Sequence, residues 1–282
     1  MDTVLTARAA LRAHWPEYLI EAWALGTFMV SAGVFATAFQ YPDSSLFSAM
    51  ESNDGRRVAI GVAMGLTAIG LIYSPWGRRS GAHMNPAVTV AFWSLDKIAG
   101  WDALFYVFAQ VVGGLCGVLA VLGLLGPAFA APPVSYVATV PGEAGVATAF
   151  FSELGISLLL MTVVLITGSI PRLRAWTGVI AGIMVATFIA VEAPLSGMSM
   201  NPARTLASAI PSHVHTALWI YLTAPTIGMW LAARAFSLFQ GRCAAICAKL
   251  QTHSVAQRCI HCGYAPPAGS TKSTIAATKG QS

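Results

Sequence analysis

Gly81-Ala82-His83-Met84-Asn85-Pro86-Ala87-Val88-Thr89-Val90-Ala91-Phe92 and Gly197-Met198-Ser199-Met200-Asn201-Pro202-Ala203-Arg204-Thr205-Leu206-Ala207-Ser208 share the words Met-Asn-Pro-Ala at an offset of 116 residues. Asn is a favoured helix N-cap, its side-chain oxygen accepting from N–H groups of the first turn. Pro suits the first helical position, where its missing N–H leaves no gap. Each copy therefore reads as the end of a loop and the start of a helix. One Asn-Pro marks a turn in many proteins; two in register ask for one structural explanation. The apolar run after Asn85 reaches only Ser94, and the run after Asn201 about residue 210. Each is about half of the roughly 20 helical residues that cross a ~30 Å hydrocarbon core. The expectation is two re-entrant half-helices, 85–94 and 201–210, entering from opposite sides.

The rest of the chain supplies the membrane. Of its 282 residues 56% are hydrophobic and 10% charged, against about 25% charged in globular proteins. Six apolar stretches are long enough to span: about 18–40, 57–76, 101–125, 144–168, 175–193 and 214–239. Unbroken Leu, Ala, Val and Gly blocks, with no alternating ten-residue segments, point to helices and not to a barrel. The fold class expected is an all-α membrane protein of six transmembrane helices plus two half-helices. Its parts are a lead-in (1–16), a first repeat (17–125), an external connecting loop (126–143), a second repeat (144–240) and a tail (241–282). Three full spans per repeat is an odd number, so the second repeat is inverted relative to the first.

The net charge of +5 is placed asymmetrically, which argues against nucleic acid as the partner. Arg8, Arg12, Arg78, Arg79, Lys97, Arg172, Arg174, Arg234 and the basic residues of the tail fall on one side of six alternating spans, with only Arg56 and Arg57 on the other. The positive-inside rule then puts both termini in the cytoplasm of a multi-pass cell-membrane protein. The first apolar stretch is too long for a signal-peptide core and reads as the first span.

Two half-helices entering from opposite faces bring Asn85 and Asn201 together near the midplane, with both positive dipole ends aimed at one spot. Such a field disfavours cations and protons. The Asn amides offer donors to a passing oxygen, and the irregular backbone at Gly81, Ala82, His83, Gly197, Met198 and Ser199 offers carbonyl acceptors. Backbone of that kind is tolerated at depth only where protein covers it or it lines a wet cavity. Gly61 and Gly65 in the second span match Gly178 and Gly182 in the fifth, and small residues at this spacing let two helices cross closely. Glu21 and Glu153 are costly in lipid and are expected to face the bundle interior.

These residues resemble the major intrinsic protein family, the aquaporins and aquaglyceroporins, over about residues 17–240. The likeness is carried by Ser80-Gly81-Ala82-His83-Met84-Asn85-Pro86-Ala87-Val88-Thr89 and Ser199-Met200-Asn201-Pro202-Ala203-Arg204. The resemblance implies an hourglass-shaped passive pore, one per subunit of a homotetramer, with Asn85, Pro86, Ala87, Asn201, Pro202 and Ala203 as the pore motif. It implies that Glu21 and Glu153 accept hydrogen bonds from the half-helix loops, although Glu21 stands two residues further from Gly-Thr-Phe than usual. It also implies a selectivity constriction at Arg204, Ile189, Met198 and either Met64 or Gly65, of which Met64 leaves Gly65 free to pack. This ring departs from both familiar subfamilies. Ile189 stands where water channels carry His, Thr205 where glycerol channels carry Asp, and Ala209, Tyr221 and Leu222 divide between the two types. Water and small neutral solutes such as glycerol both remain open as permeants.

Cys243, Cys247, Cys259 and Cys262, with His253, crowd the tail at C-x3-C-x11-C-x2-C spacing. On a reducing side this suits a four-ligand zinc site better than disulfides; palmitoylated or idle thiols are the alternative. The pore itself requires no cofactor. A coupled transporter would need titratable midplane groups beyond Glu21 and Glu153, and no nucleophile–base pair marks an enzyme. A non-conducting structural or metal-sensing membrane protein that uses the tail is the remaining alternative.

Overall fold

The computed structural model describes residues 6–241, 245, 247–251 and 259–263. The first repeat comprises α1 (Ala7–Gln40), the short α2 (Ser45–Ala49), α3 (Asn53–Tyr73), α4 (Pro75–Ser80), the half-helix α5 (Pro86–Ser94) and α6 (Gly100–Leu125). A connection carrying α7 (Pro127–Ala130) leads to α8 (Gly145–Ser169), α9 (Thr177–Val191), α10 (Ala193–Ser196), the half-helix α11 (Pro202–Ser212) and α12 (Leu218–Gln240). Among the described residues there are thus six long helices and two half-helices, the all-α architecture expected. By length and composition α1, α3, α6, α8 and the segment Arg174–Val191 suit a membrane crossing; α12, with 23 residues, is the sixth long helix.

Packing follows the inverted repeat. The most extensive interfaces are α1 with α6, its counterpart α8 with α12, and α3 with α9 between repeats. Each half-helix packs on the last long helix of the other repeat, α5 on α12 and α11 on α6, so the two halves interlock. The α3–α9 crossing is as close as its glycines imply. A Cβ on Gly65 would lie 2.6 Å from the Gly182 carbonyl oxygen, and one on Gly182 would lie 2.7 Å from that of Gly65. Large apolar side chains also cover the outside, among them Phe108, Leu124, Phe151 and Val191. A helix apolar all round is one that meets lipid on its outer face.

The expected lead-in is not a separate segment. Helix α1 begins at Ala7 and continues through Pro16 without a break. Side chains near its start hold it in place: Glu17 pairs with Arg79 at 3.0 Å, and the Asp102 carboxylate accepts from Tyr18 Oη at 2.6 Å and pairs with His14 at 2.8 Å. From the lead-in, half-buried His14 reaches α6, and Glu17 and Tyr18, which open the first repeat, are buried groups that tie α1 to α4 and α6. These contacts, with Arg174 and Lys249, mark the basic end of the bundle; Arg56 and Arg57 lie at the opposite end.

Candidate pore between the paired half-helices

The local chemistry of each Met-Asn-Pro-Ala word is the chemistry its residues favour. Asn85 and Asn201 are extended N-caps. Asn85 Oδ1 accepts from Ala87 N at 2.8 Å, and Asn201 Oδ1 accepts from Ala203 N and Arg204 N at 3.1 and 3.2 Å. Their amide nitrogens reach across the centre: Asn85 Nδ2 donates to the Met200 carbonyl at 2.7 Å and Asn201 Nδ2 to the Met84 carbonyl at 2.6 Å. An amide NH2 has two hydrogens, so each Asn keeps a second donor after binding the opposite loop.

Both loops take the same unusual path. Positive φ occurs at Gly81, Ala82 and Met84 in one and at Gly197, Met198 and Met200 in the other, with values of 51° to 54° at the four non-glycine positions. Left-handed backbone is uncommon outside glycine and persists where surrounding bonds over-determine it. Here the fully buried carboxylates supply those bonds. Glu21 accepts from Ser80 Oγ, His83 N and Met84 N at 2.7, 3.1 and 2.7 Å. Glu153 accepts from Ser196 Oγ, Ser199 N and Met200 N at 2.9, 2.6 and 2.7 Å. Tyr106 and Tyr221 then anchor the Ser80 and Ser196 carbonyls at 2.8 and 2.7 Å. Glu21 is 59 residues from Ser80 and Glu153 is 43 from Ser196. The longer first-repeat connection absorbs the difference, so the unequal spacing does not disturb the geometry. Ser196 and Tyr106 had no signal in the sequence beyond their register with Ser80 and Tyr221, and Gln110, which donates to Glu21 at 2.9 Å, had none.

A cavity of about 280 Å³ runs along this centre. Asn85, Asn201, Met84 and Met200 line it, as do Met64, Ile189, Met198 and Arg204. Gly65 is turned away into the α3–α9 crossing, where only hydrogen fits against the Gly182 carbonyl; of the two positions considered, Met64 is the one on the wall. Among the loop residues, His83, Gly197 and Ser199 face the cavity, whereas Gly81 and Ala82 do not. The Gly81 carbonyl is taken up by the Leu250 N–H at 3.1 Å, which corrects its reading as a cavity acceptor.

At the opposite end, the loop before α8 folds inward instead of simply connecting the repeats. Arg204 Nη1 donates to Thr139 Oγ1, Val137 lines the cavity, and Gly142 N donates to the Leu195 carbonyl at 3.0 Å. Arg57 Nε donates to the Ala190 carbonyl at 2.8 Å, and its side chain also lines the cavity. Just beyond α9, burial pushes the Glu192 carboxyl up to about 8, aided by the nearby Glu153 carboxylate and opposed by the Ser196 hydroxyl.

At the basic end the tail returns to the bundle. The Ala248 carbonyl accepts from His83 Nε2 at 3.0 Å, Lys249 Nζ donates to the Arg78 carbonyl at 2.8 Å, and Leu250 lines the cavity. His261 stacks on His83 with ring centroids 5.9 Å apart, and its Nε2 donates to the Ser80 carbonyl at 2.9 Å. The thiol sulfurs of Cys247, Cys259 and Cys262 lie within 4.8 Å of one another, and those of Cys247 and Cys259 are 3.4 Å apart. No disulfide joins them. Cys243 and His253, also read as ligands, lie outside the described residues.

Paired half-helices, inverted repeats and a central, largely apolar cavity into which the two Asn caps reach define an all-helical protein of the paired half-helix class. Residues 11–236 match the family model described as major intrinsic protein, and the chain belongs to that family. It is 36% identical over 183 residues to the "Probable aquaporin NIP-type" of Nicotiana alata, covering 64% of each chain. It is 35% identical over 182 residues to the "Probable aquaporin AqpM" of Archaeoglobus fulgidus, covering 62% of this chain and 73% of the other. The match thus spans less than two thirds of the plant relative's length. Among solved structures, the aquaglyceroporin from Plasmodium falciparum aligns with a TM-score of 0.69 at 22% identity, over 82% of this chain and 99% of that one; this likeness concerns the fold.

Proposed function

We propose that the chain is a passive channel for water and small uncharged solutes that excludes ions and protons. The observation that carries this reading is the pair of Asn caps, each with a free amide hydrogen, meeting in a cavity that continues past Arg204 at one end and His83 at the other. Two half-helix N-termini meeting there set a positive potential against cations. Alternating donors and loop carbonyls replace part of the hydration that a neutral permeant gives up. Arg204 adds a fixed charge and further donors to a wall that is otherwise apolar at Met64, Ile189 and Met198. Three apolar sides suit a small polyol as well as water, which favours glycerol-type solutes as co-permeants. The basic end is the cytoplasmic one, which leaves both termini of this multi-pass cell-membrane protein in the cytoplasm, and four copies assemble as a homotetramer. Conduction needs no cofactor; the thiol cluster of the tail is of a kind that takes zinc.

Stopped-flow light scattering on proteoliposomes of the full chain tests the reading, first with an impermeant osmolyte and then with glycerol. Shrinkage and re-swelling faster than in empty liposomes, with no dissipation of a proton gradient, are expected. Rates equal to those of empty liposomes in both zinc-free and zinc-loaded protein would overturn it. Native mass spectrometry in detergent should give a tetramer.

A further inference from the structure

We infer that Cys247, Cys259 and Cys262 hold a zinc ion that clasps the tail over the basic mouth of the cavity and restricts passage through it. This rests on the zinc reading above and on the channel reading. Sulfurs bound tetrahedrally to one zinc at about 2.3 Å lie about 3.8 Å apart, and the three sulfurs here, within 4.8 Å of one another, need shift only slightly to reach that arrangement. Binding releases the thiol protons to solvent and leaves the fourth position to water or another donor. The three ligands come from two segments of chain, 247–251 and 259–263, and both segments touch the half-helix loop.

The contacts are specific. The first segment receives the His83 imidazole on the Ala248 carbonyl, donates Leu250 N–H to the Gly81 carbonyl and Lys249 Nζ to that of Arg78. The second places His261 on the Ser80 carbonyl. Backbone groups of the Ser80–His83 loop are thereby occupied by the tail, and the Leu250 side chain stands in the cavity wall. A few such hydrogen bonds, each exchanged for one to water, do not by themselves hold two segments against their conformational entropy. A metal bond linking the segments does, because it fixes both ends of the clasp at once. Zinc binding and mouth closure are then two readings of one equilibrium: the metal stabilises the docked tail, and its removal frees the mouth.

The test uses full-length protein in liposomes, with zinc counted by inductively coupled plasma mass spectrometry and water flux read by stopped flow. Wild-type protein should carry one zinc per chain. If zinc keeps about nine channels in ten clasped, stripping it with a membrane-permeant chelator raises flux about tenfold, and zinc chloride restores the low rate. C262S should bind no zinc and conduct at the high rate with or without chelator. L250A should keep its zinc yet conduct well before chelation, which separates occlusion from metal binding. No zinc in wild type after incubation with zinc chloride overturns the metal site and the clasp, and leaves the channel reading intact if flux exceeds that of empty liposomes. Bound zinc with flux unchanged or lowered on chelation overturns the clasp alone. Flux at the empty-liposome rate in every state removes the channel reading and the clasp with it.

Discussion

Asn85 and Asn201 each donate an amide hydrogen to the loop that leads into the other, at 2.7 and 2.6 Å. Each cap therefore closes its own half-helix with its oxygen and pins the opposite repeat with its nitrogen. The half-helices cannot separate without breaking both bonds. The second amide hydrogens are held in fixed directions at the cavity, which is the pre-organisation a selective passage requires.

Replacing Asn201 with Asp keeps the cap acceptor and removes the donor to Met84. The carbonyl that loses its partner is buried, so thermal unfolding in detergent should show a loss of about 1–3 kcal/mol. The added negative charge offsets the dipole field, so a pH-sensitive dye inside proteoliposomes should report a faster proton leak than with wild type. An unchanged leak would count against the field as the barrier.

Glu153 and Glu21 carry the loops. Converting Glu153 to Gln leaves the shape but puts an amide NH2 in place of one carboxylate oxygen, facing either the Ser199 or the Met200 N–H, since these bond to different oxygens. Loss of charge-assisted bonds should cost about 2–4 kcal/mol, read as a lower melting temperature, and water flux should fall with it. Glu21→Gln should behave alike, because its three loop bonds are the same three. A strong effect in only one repeat would show that the symmetry of bonds is not a symmetry of energies.

The ring is open to a paired substitution. Met64→Phe with Ile189→His narrows the cavity at the Arg204 level and should lower glycerol flux more than water flux; equal losses would remove these residues from the constriction. Gly65→Ala should instead fail at the level of folding, since its Cβ would meet the Gly182 carbonyl at 2.6 Å. Low yield and a lowered melting temperature distinguish a packing residue from a permeant contact.

Glu192 has its carboxyl raised from 4.5 to about 8. Between those values the folded protein holds a proton that the unfolded chain has released, so raising pH favours unfolding. The stabilising difference is complete below about 4.5 and disappears as pH climbs through about 8. The melting temperature of wild type should therefore fall more between pH 5 and about 8.5 than that of Glu192→Gln, measured side by side. Parallel curves would place the carboxyl in a more solvated setting than its burial implies.

Much of the geometry around the cavity was legible because it is local. Asn85 caps the helix that begins one residue later, and so does Asn201; the half-helix lengths follow from where the apolar runs stop. The inverted arrangement follows from counting spans. Cavity-facing positions Ile189 and Met198 can be reached by counting from the caps, since helix and loop lengths are fixed there. Counting alone leaves Met64 and Gly65 open, because one residue rotates a helical position by about 100°; the glycine spacing favours Met64, and in the structure Met64 lines the cavity while a Cβ on Gly65 would meet the Gly182 carbonyl.

What the sequence determined by itself was the membrane composition, the two half-helices, their opposed entry and the glycines that let α3 and α9 touch, because each depends on near neighbours or on periodicity. Tertiary structure decided which groups meet across long separations. Thr139 lies 65 residues from Arg204, and Ala248 lies 165 residues from His83. No spacing rule predicts that a connecting loop folds against the arginine, or that a cysteine-bearing tail returns to the half-helix loop. Those contacts exist because buried polar groups in a dry interior must find partners wherever the fold can bring them. The unequal distances from Glu21 and Glu153 to their serines end in the same bonds for the same reason.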